Sequence, residues 1–250
     1  MKSFKIKNFI ILLLAGLLLV SFTPKKPVVG KISFPLGNVL LLPKGNTRYQ
    51  KAYLNMPVHN GDKIETKKTA RCEITFKDKS VVRIDEQTIY TIEKAEIGVE
   101  KKEVSSFLFF GKLWANVKKL IAGKDSWKLK SPSAVVAVRG TVYRMNAGQD
   151  SSSQVLVYEG NVAVSPASQG ASQQGKAKSP GTPVQVQGPQ QVQGPKEVSK
   201  EQWLEIVKAQ QQIVIKPDGS YAKSDFSMED DAKLDWVKWN MERDKILEQQ

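Results

Sequence analysis

The stretch SPSAVVAVRGTVYRMNAGQDSSSQVLVYEGNVAV, residues 131–164, decides the fold. Its first apolar run, AVVAV from Ala134 to Val138, is small and β-branched, as expected of a strand buried on both faces. A second run, VLVYEGNVAV from Val155 to Val164, follows the polar loop GQDSSS. Two strand-like runs around a polar loop predict a compact hairpin-like unit.

Charged residues and glycines inside this unit call for a structural or functional role. Gly140 lacks a Cβ, so it can take a bulge or let another backbone approach closely. Gly160 and Asn161 mark a turn or a bend. An unpaired guanidinium in an apolar strand is costly, so Arg139 is predicted to pair, with Glu159 as its candidate partner. Such an ion pair would fix the strand register; the alternative is a ligand-binding Arg139.

The β pattern extends back to Gly30. TARCEITF (69–76) places alternate apolar residues on one face and charged or polar residues on the other, and with SVVRID (80–85) it predicts a hairpin. The runs VLLL (39–42), KIET (63–66), TIYTI (88–92) and WKL (127–129) predict further strands, and Asn60-Gly61-Asp62 predicts the turn before KIET.

Two features of this β region leave a choice open. FLFFGKLWANVKKLI (107–121) fits a strand, but its second part, from Leu113 to Ile121, also fits a helix. Cys72 is the only cysteine, so no intramolecular disulfide can form, and a buried, unreactive thiol is the expected state.

The N-terminus predicts export. Three lysines precede an apolar run from Phe9 to Phe22, which is shorter than the ~20 residues of a spanning helix and has the length of a signal-peptide core. Residues 1–23 are therefore predicted to be a signal peptide or, because Ser21 and Thr23 make a poor cleavage site, an uncleaved anchor.

The formal net charge of +13 is unevenly spread. Residues 31–165 carry a net charge of +9, whereas residues 197–250 carry −4. A basic chain directs attention to nucleic acid and anionic membranes. Export argues against nucleic acid, so the basic middle is expected to serve solubility or contact with anionic lipid, polysaccharide or wall polymer.

The pattern changes after residue 164. Residues 165–196 are rich in Gln, Ser, Gly and Pro and predict a low-complexity linker. Residues 197–250 predict a helix from about Ser199 to Gln210, then the strand and turn IVIKPDGSY, then a helix capped by Ser227. In that last helix Ala232, Trp236, Trp239 and Ile246 form an apolar side that is expected to dock on the rest of the protein.

Residues 30–164 resemble the FecR domain of bacterial envelope proteins. The resemblance rests on LNMPVHNGDKIET (54–66), CEITFKDKSVVRI (72–84), FFGKLWANV (109–117), SPSAVVAVRGTVYRM (131–145) and VLVYEGNVAV (155–164). It implies a mainly β, extracytoplasmic roll, solenoid or sandwich of short strands. The motif residues singled out, as structural rather than catalytic residues, are Arg139, Gly140, Thr141, Glu159, Gly160, Gly61 and Asp62.

The expected function is that of a non-enzymatic binding or structural module in the periplasm or cell envelope of a bacterium. No catalytic, cofactor-binding or metal-binding motif is found in the sequence, and the single His59 and single Cys72 make a weak pair. The expected partners are an envelope protein or an anionic glycan or wall polymer; membrane contact would come only through the N-terminal segment. The alternatives are a component of FecR-type transmembrane signalling, although only about eight residues precede the apolar run, and an enzyme acting on wall polymer.

Overall fold

The computed structural model describes residues 26–99, 101–119, 125–167 and 205–249, and these are mainly β, as predicted. They form 17 strands and two α-helices. The strands are β1 (Val28–Leu36), β2 (Val39–Leu42), β3 (Gln50–Lys51), β4 (Pro57–His59), β5 (Lys63–Thr66), β6 (Arg71–Phe76), β7 (Val81–Ile84), β8 (Thr88–Ile97), β9 (Lys102–Val117), β10 (Ser126–Lys130), β11 (Ala134–Val138), β12 (Thr141–Ala147), β13 (Ser153–Glu159), β14 (Asn161–Pro166), β15 (Glu205–Lys208), β16 (Gln211–Ile215) and β17 (Tyr221–Asp225); the helices are α1 (Met228–Asp231) and α2 (Asp235–Glu248).

The strands form an open roll of two layers. Sheet A has the order β4-β1-β6-β7-β9-β12-β13-β16-β17. Sheet B has the order β3-β2-β5-β8-β9-β10-β11-β14-β15. The long strand β9 belongs to both: its first part, up to Phe110, pairs with β8, and its second part, from Gly111, pairs with β12.

Gly111 allows β9 to pass from one sheet to the other. Its φ is +108°, and a Cβ at this position would lie 2.2 Å from Thr88 Oγ1. Glycine is therefore needed where β9 crosses over β8. The strand interpretation of this stretch is confirmed as far as Val117, and the helix alternative beginning at Leu113 is wrong, because two sheet neighbours, β7 and β12, pair with this segment.

The main core lies between the two sheets. The predicted hairpin of β6 and β7 is confirmed, and Ile74 and Cys72 on β6 are fully buried. Phe76 of sheet A packs edge-on against Trp127 of sheet B, with 5.1 Å between ring centroids. Burial raises the pKa of the Cys72 thiol, which agrees with the predicted unreactive state.

One burial prediction is wrong. In β11 the residues Ala134, Val136 and Val138 are buried, but Val135 and Ala137 between them are only half-buried. The strand therefore buries one face, against sheet A, and leaves the other partly open. The run is uniformly apolar because its half-buried positions are also small and β-branched, a composition that periodicity cannot distinguish from two-sided burial.

The C-terminal region differs from the predicted helix, strand and helix. The helix predicted from Ser199 to Gln210 is replaced, in its described part, by strand β15, which pairs with β14 so that Glu205 lies opposite Val164. Val207 is the one buried residue of this strand. The apolar residues that suggested one side of a helix therefore also fit a short strand with a single buried position. Residues 168–204, which hold most of the predicted linker, lie outside the described part of the chain, as does the predicted leader.

Strands β15, β16 and β17 extend both sheets, so the C-terminal region continues the β domain. The predicted cap at Ser227 is present at the start of α1: Asp230 N donates to Ser227 Oγ at 3.1 Å. Helix α2 docks through Trp236 and Val237 rather than through the whole predicted side, since the Ile246 side chain remains 54% exposed. None of the described helices is long and apolar enough to cross a membrane.

Candidate functional site: the charged face beneath the C-terminal helix

The face of sheet A that points away from sheet B, called here the outer face, carries an unusual row of side chains. Directly opposed positions on successive strands are Glu73 on β6, Arg83 on β7, Trp114 on β9, Arg144 on β12 and Leu156 on β13. Opposed residues on neighbouring strands share a face, so the five side chains form a line across the sheet. All five are buried, because helix α2 and the segment before it cover them.

Arg83 is at the centre of the buried charges, with no exposed side-chain surface. Its Nε donates to Glu73 Oε2 at 2.8 Å, and its Nη1 donates to Asp244 Oδ1 of α2 at 2.8 Å. The second oxygen of Asp244 accepts a 2.8 Å hydrogen bond from Trp114 Nε1. The Arg83 guanidinium thus joins Glu73 on the neighbouring strand to Asp244 on α2, more than 150 residues later in the chain.

Glu73 is held by two arginines from different parts of the chain. Arg243 Nε of α2 donates to the same Oε2 atom at 2.8 Å, and Ser33 Oγ donates to Oε1 at 2.7 Å. Burial alone would raise the pKa of Glu73, but the hydrogen bonds from Arg243 and Arg83, with the Arg83 charge, lower it to about 2. The carboxylate is therefore ionised in the folded protein at any physiological pH.

Two further ion pairs fix the segment that enters α2. Arg144 Nη2 donates to Asp231 Oδ1 at 2.6 Å, and the Tyr158 hydroxyl donates to the other oxygen of Asp231. Arg71 bridges Asp85 of the sheet side, at 3.1 Å, and Asp235 at the first position of α2, at 2.6 Å. Each pair joins a sheet residue to the tail.

Aromatic side chains fill the space between these charges. Trp236 and Trp239 stack with 5.4 Å between ring centroids, and the Arg71 guanidinium lies 5.3 and 5.2 Å from those centroids. On the sheet, Trp114 packs against Tyr158 at 4.3 Å. The covered face is thus a second, smaller core in which aromatic rings and paired charges alternate.

A cleft of about 540 Å³ opens at one edge of the covered face, between the sheet and the start of α2. Its walls include the charged residues Arg71, Asp85, Lys112 and Arg144. Asp85 accepts from Arg71 and lies 3.5 Å from Lys112 Nζ, so its charge is already paired. Leu36 and Leu234 also line the cleft, and both are exposed.

Gly61 and Asp62, singled out from the sequence, form a structural turn between β4 and β5. Gly61 has a φ of +85°, and its N–H donates to Ile92 O at 2.6 Å. The buried Asp62 carboxylate accepts from Lys44 N at 3.1 Å and from His59 N at 2.9 Å. These contacts join three segments of the domain and place both residues away from the covered face.

Gly140, Thr141 and Gly160 lie where the chain crosses between the sheets. Gly140 separates β11 from β12, and Gly160 separates β13 from β14. Both have a positive φ, and a Cβ on Gly160 would lie 2.9 Å from Gly140 O. The predicted close backbone approach is confirmed: the two crossings touch each other. Buried Thr141 joins them further, since its Oγ1 donates to Asn161 O at 2.9 Å.

Arg139 and Glu159 occupy these same crossings, and both are exposed. The expectation that Arg139 lies within an apolar strand is wrong, because β11 ends at Val138 and Arg139 begins the bend. The energetic reason for a buried ion pair is therefore absent. An exposed pair between Arg139 and Glu159 stays a prediction.

The weak Cys–His pair is not assembled. His59 pairs with Val28 at one end of β1, and Cys72 pairs with Pro35 near the other end. Seven residues of strand separate these positions by about 23 Å. Within the described segments, no group of three or more His, Cys, Asp or Glu side chains could hold a metal ion.

The residues of the covered face were missed from the sequence. Arg71, Glu73 and Arg83 lie at alternating or opposed strand positions that predict exposure to solvent. The sequence signal for these residues was the tail: an acidic segment with three tryptophans, whose charge is opposite to that of the basic β region. That complementarity could have indicated which face the tail would cover.

The fold and this site define a two-layered β domain whose outer face is closed by its own C-terminal helix. The family model described as FecR protein matches residues 62–163 of the chain. The resemblance given by the sequence motifs is confirmed. Residues 28–61, outside the match, supply strands β1 to β4 of the same two sheets.

Similar solved structures include two crystal structures, at 1.65 and 2.50 Å resolution, of a candidate anti-sigma factor from Parabacteroides distasonis. Each shares 17% sequence identity with this chain, with a TM-score of 0.43, over 65% of this chain and 59% of the other. The chain thus spans less than two thirds of the length of those proteins. No curated protein matches it.

Proposed function

We propose that the protein is an exported, non-enzymatic component of the bacterial cell envelope that binds a protein partner in the cleft beside α2. The observation that carries this proposal is the composition of the cleft. Exposed leucines, Leu36 and Leu234, flank paired charges on its walls. Apolar and charged groups side by side are typical of surfaces that bind proteins, whereas a site for a small apolar ligand would be more enclosed and mostly apolar.

Two residues that line the cleft carry a buried hydrogen-bond donor without an acceptor. Arg144 Nε and Trp236 Nε1 belong to residues that line the cleft, and the described residues offer neither atom an acceptor. A buried donor without an acceptor costs about 1–3 kcal/mol. Both atoms are enclosed by the protein, so an occupant of the cleft could accept from them only after these side chains move.

The charges of the cleft favour binding over catalysis. Asp85, the buried carboxylate of the walls, already accepts from Arg71 and lies 3.5 Å from Lys112 Nζ, so both of its charged neighbours are engaged with it. Arg71 is likewise engaged by Asp235: burial lowers the pKa of its guanidinium, but the hydrogen bonds to Asp235 and Asp85, with their charges, outweigh burial and raise it. The arrangement orients charges for recognition.

The FecR match favours one particular version of this function. Proteins of this family relay signals across the envelope, so the partner would be a membrane receptor or an anti-sigma protein, and this chain a FecR-type signalling component. The N-terminal apolar run supports export, and the compartment would be the periplasm or the envelope surface. A wall-polymer-cleaving enzyme is the remaining alternative.

Site-specific photo-cross-linking tests the cleft. A photoreactive amino acid replaces Leu234, at the cleft, in the full chain expressed in its bacterial host, and the matched control carries it at Ile246. Both positions are exposed and flank or lie in the same helix, but only Leu234 lines the cleft. We expect a protein adduct in the envelope fraction from position 234 alone.

The identity of the adduct separates the alternatives. A receptor or an anti-sigma protein supports signalling, and another envelope protein supports a general binding module. Equal adducts from both positions, or adducts with cytosolic proteins only, would contradict the proposal. Release of fragments from purified peptidoglycan by the full chain would establish the enzyme instead.

A further inference from the structure

The two ends of the β roll differ in their surface. One end, called here the basic end, is formed by the start of β1, the β6–β7 turn, the end of β9 and the β11–β12 bend. Lys77 N donates to Val29 O at 3.1 Å, which places the β6–β7 turn beside the start of β1. Lys118 N donates to Ser80 Oγ at 3.1 Å, which places the end of β9 beside that turn.

The β11–β12 bend continues this row. A Cβ on Gly140 would lie 2.6 Å from Lys119 Cγ, so the bend touches the residue that follows the end of β9 by two positions. The exposed cationic side chains of the row are Lys77, Lys79, Lys118, Lys119 and Arg139. The loops thus gather five positive charges from three separate parts of the sequence on one end of the domain.

Carboxylates also lie at or beside this end: Asp78, Glu159 and Asp125, which directly precedes β10. Across the described part of the chain, no carboxylate pairs with Lys77, Lys79, Lys118 or Lys119 within 4 Å. Asp78, the acidic residue of the β6–β7 turn, instead accepts from Ser80 N at 3.1 Å and from Ser80 Oγ at 2.9 Å. Glu159 lies next to the row at the neighbouring crossing. The row keeps a positive excess that a surface of negative charge can neutralise.

The opposite end of the roll has no such excess. There Lys67 pairs with Glu65, Lys112 lies 3.5 Å from Asp85, and Glu86 accepts from Thr69 N at 2.6 Å. Two basic side chains of this end, Lys67 and Lys112, therefore each have a carboxylate partner. The difference between the ends is one of placement, since both belong to the same basic domain.

The basic end is also the end from which the chain leads to its apolar N-terminal run. Strand β1 begins at Val28, and only residues 23–27 separate it from the run 9–22. Five residues of extended chain span at most about 18 Å. Under the export proposed above, this end is held beside the membrane for as long as the run lies in it.

We propose that the basic end is a membrane-contact surface that binds anionic phospholipid headgroups and orients the domain with the cleft of Leu36 and Leu234 away from the bilayer. Each lysine near an anionic leaflet strengthens binding about fivefold, and the attraction is screened by salt. The cleft lies at the opposite end, beside Thr69 and Lys112, so this orientation leaves it open to partners.

Headgroup quenching in nanodiscs tests this orientation. The full chain is inserted into nanodiscs, with a fluorophore on Lys79→Cys at the basic end or on Asp218→Cys in the β16–β17 turn at the opposite end. Buried Cys72 is shielded from labelling. Lipids with a quencher on the headgroup should quench the probe at position 79 several times more than the probe at 218. This should occur in discs containing phosphatidylglycerol, and at low salt.

Charge-reversed variants provide the matched comparison. Lys77→Glu with Lys118→Glu should lower the membrane-proximal fraction of the position-79 probe about tenfold or more, whereas Lys68→Glu with Lys216→Glu at the opposite end should change it less than twofold. All four lysines are exposed, so folding should be preserved, and thermal unfolding checks this.

Other outcomes would overturn the inference. Equal quenching at both ends, or quenching that ignores lipid charge and salt, would show that the domain is not oriented by its basic end. Removal of the probe from the lipid by a soluble anionic wall polymer at equal charge concentration would assign the surface to polymer. Neither outcome bears on partner capture at the cleft, so the proposed function would stand or fall separately.

Discussion

The inner and outer faces of sheet A are both buried, but by different chemistry. The inner face packs aliphatic and aromatic residues against sheet B, and the outer face packs paired charges and tryptophans against α2. The inner core, whose residues run from Val29 to Ile215, follows the alternation within each strand, whereas the outer one joins strand residues to a helix more than 150 positions later. Burial of one face therefore follows from local pattern, and burial of the other depends on a distant segment.

This difference has an energetic meaning. Apolar burial stabilises in proportion to area and tolerates some sliding of the packed elements. Buried ion pairs gain little net stability, because desolvation offsets the attraction, but they penalise any arrangement that leaves one partner unpaired. The network of Glu73, Arg83 and Asp244 therefore specifies one position and one register for α2 on the sheet.

The largest expected effect comes from breaking the centre of the outer network. Arg83→Met leaves Asp244 with only Trp114, and Glu73 with Arg243 and Ser33, in a buried site. We expect a loss of about 3 kcal/mol in the free energy of unfolding, as for other broken buried pairs. Urea denaturation measures the loss, and faster proteolytic release of α2 shows that it acts on the helix.

A second change sharpens this result. Removing both charges with Arg83→Met and Asp244→Leu should recover part of the loss, because no carboxylate of α2 is then left without its arginine. A loss below about 1 kcal/mol for the single variant would contradict the burial of this face.

The pH dependence separates the two faces with a smaller effect. The pKa of Glu73 is lower in the folded protein, about 2, than its ordinary value of 4.5, so folding favours the ionised form. Its stabilisation is complete above pH 4.5 and is lost as the pH falls towards 2, about 2–3 kcal/mol in all. The free energies of unfolding of Glu73→Gln and of the original protein, measured by urea denaturation, should therefore converge as the pH falls through this window.

The neighbouring residue of the inner face supplies the control. Ile74→Val should cost about 1 kcal/mol, and the same amount at pH 6 and pH 3, because no titrating group changes its environment. A difference that shrinks with acid for Ile74→Val as well would mean that the whole domain loosens, rather than the outer face alone.

The contrast also explains what sequence could provide. Alternation in β6 predicted its inner residues, and turn residues predicted the β6–β7 hairpin, because both signals are local. The outer positions Arg71 and Glu73 have the composition of a solvated face, and nothing local distinguishes a solvated charge from one that a helix later covers. The strand at Glu205–Lys208 was mistaken for a helix for a related reason: its pairing with β14 is non-local.

Arg139 is the residue for which the smallest effect is expected. The sequence motif predicted a buried, paired guanidinium there, but the side chain lies exposed at the bend between β11 and β12. Arg139→Met should therefore change the free energy of unfolding by no more than about 0.5 kcal/mol, against about 3 for the same substitution at Arg83. Thermal and urea denaturation of the two variants side by side measure this ratio.

A large loss at Arg139 would show that its bend is held by charge. A negligible loss would mean that the motif is constrained there by backbone, because Gly140 and Gly160 bring the two crossings into contact whatever the side chain at 139 does.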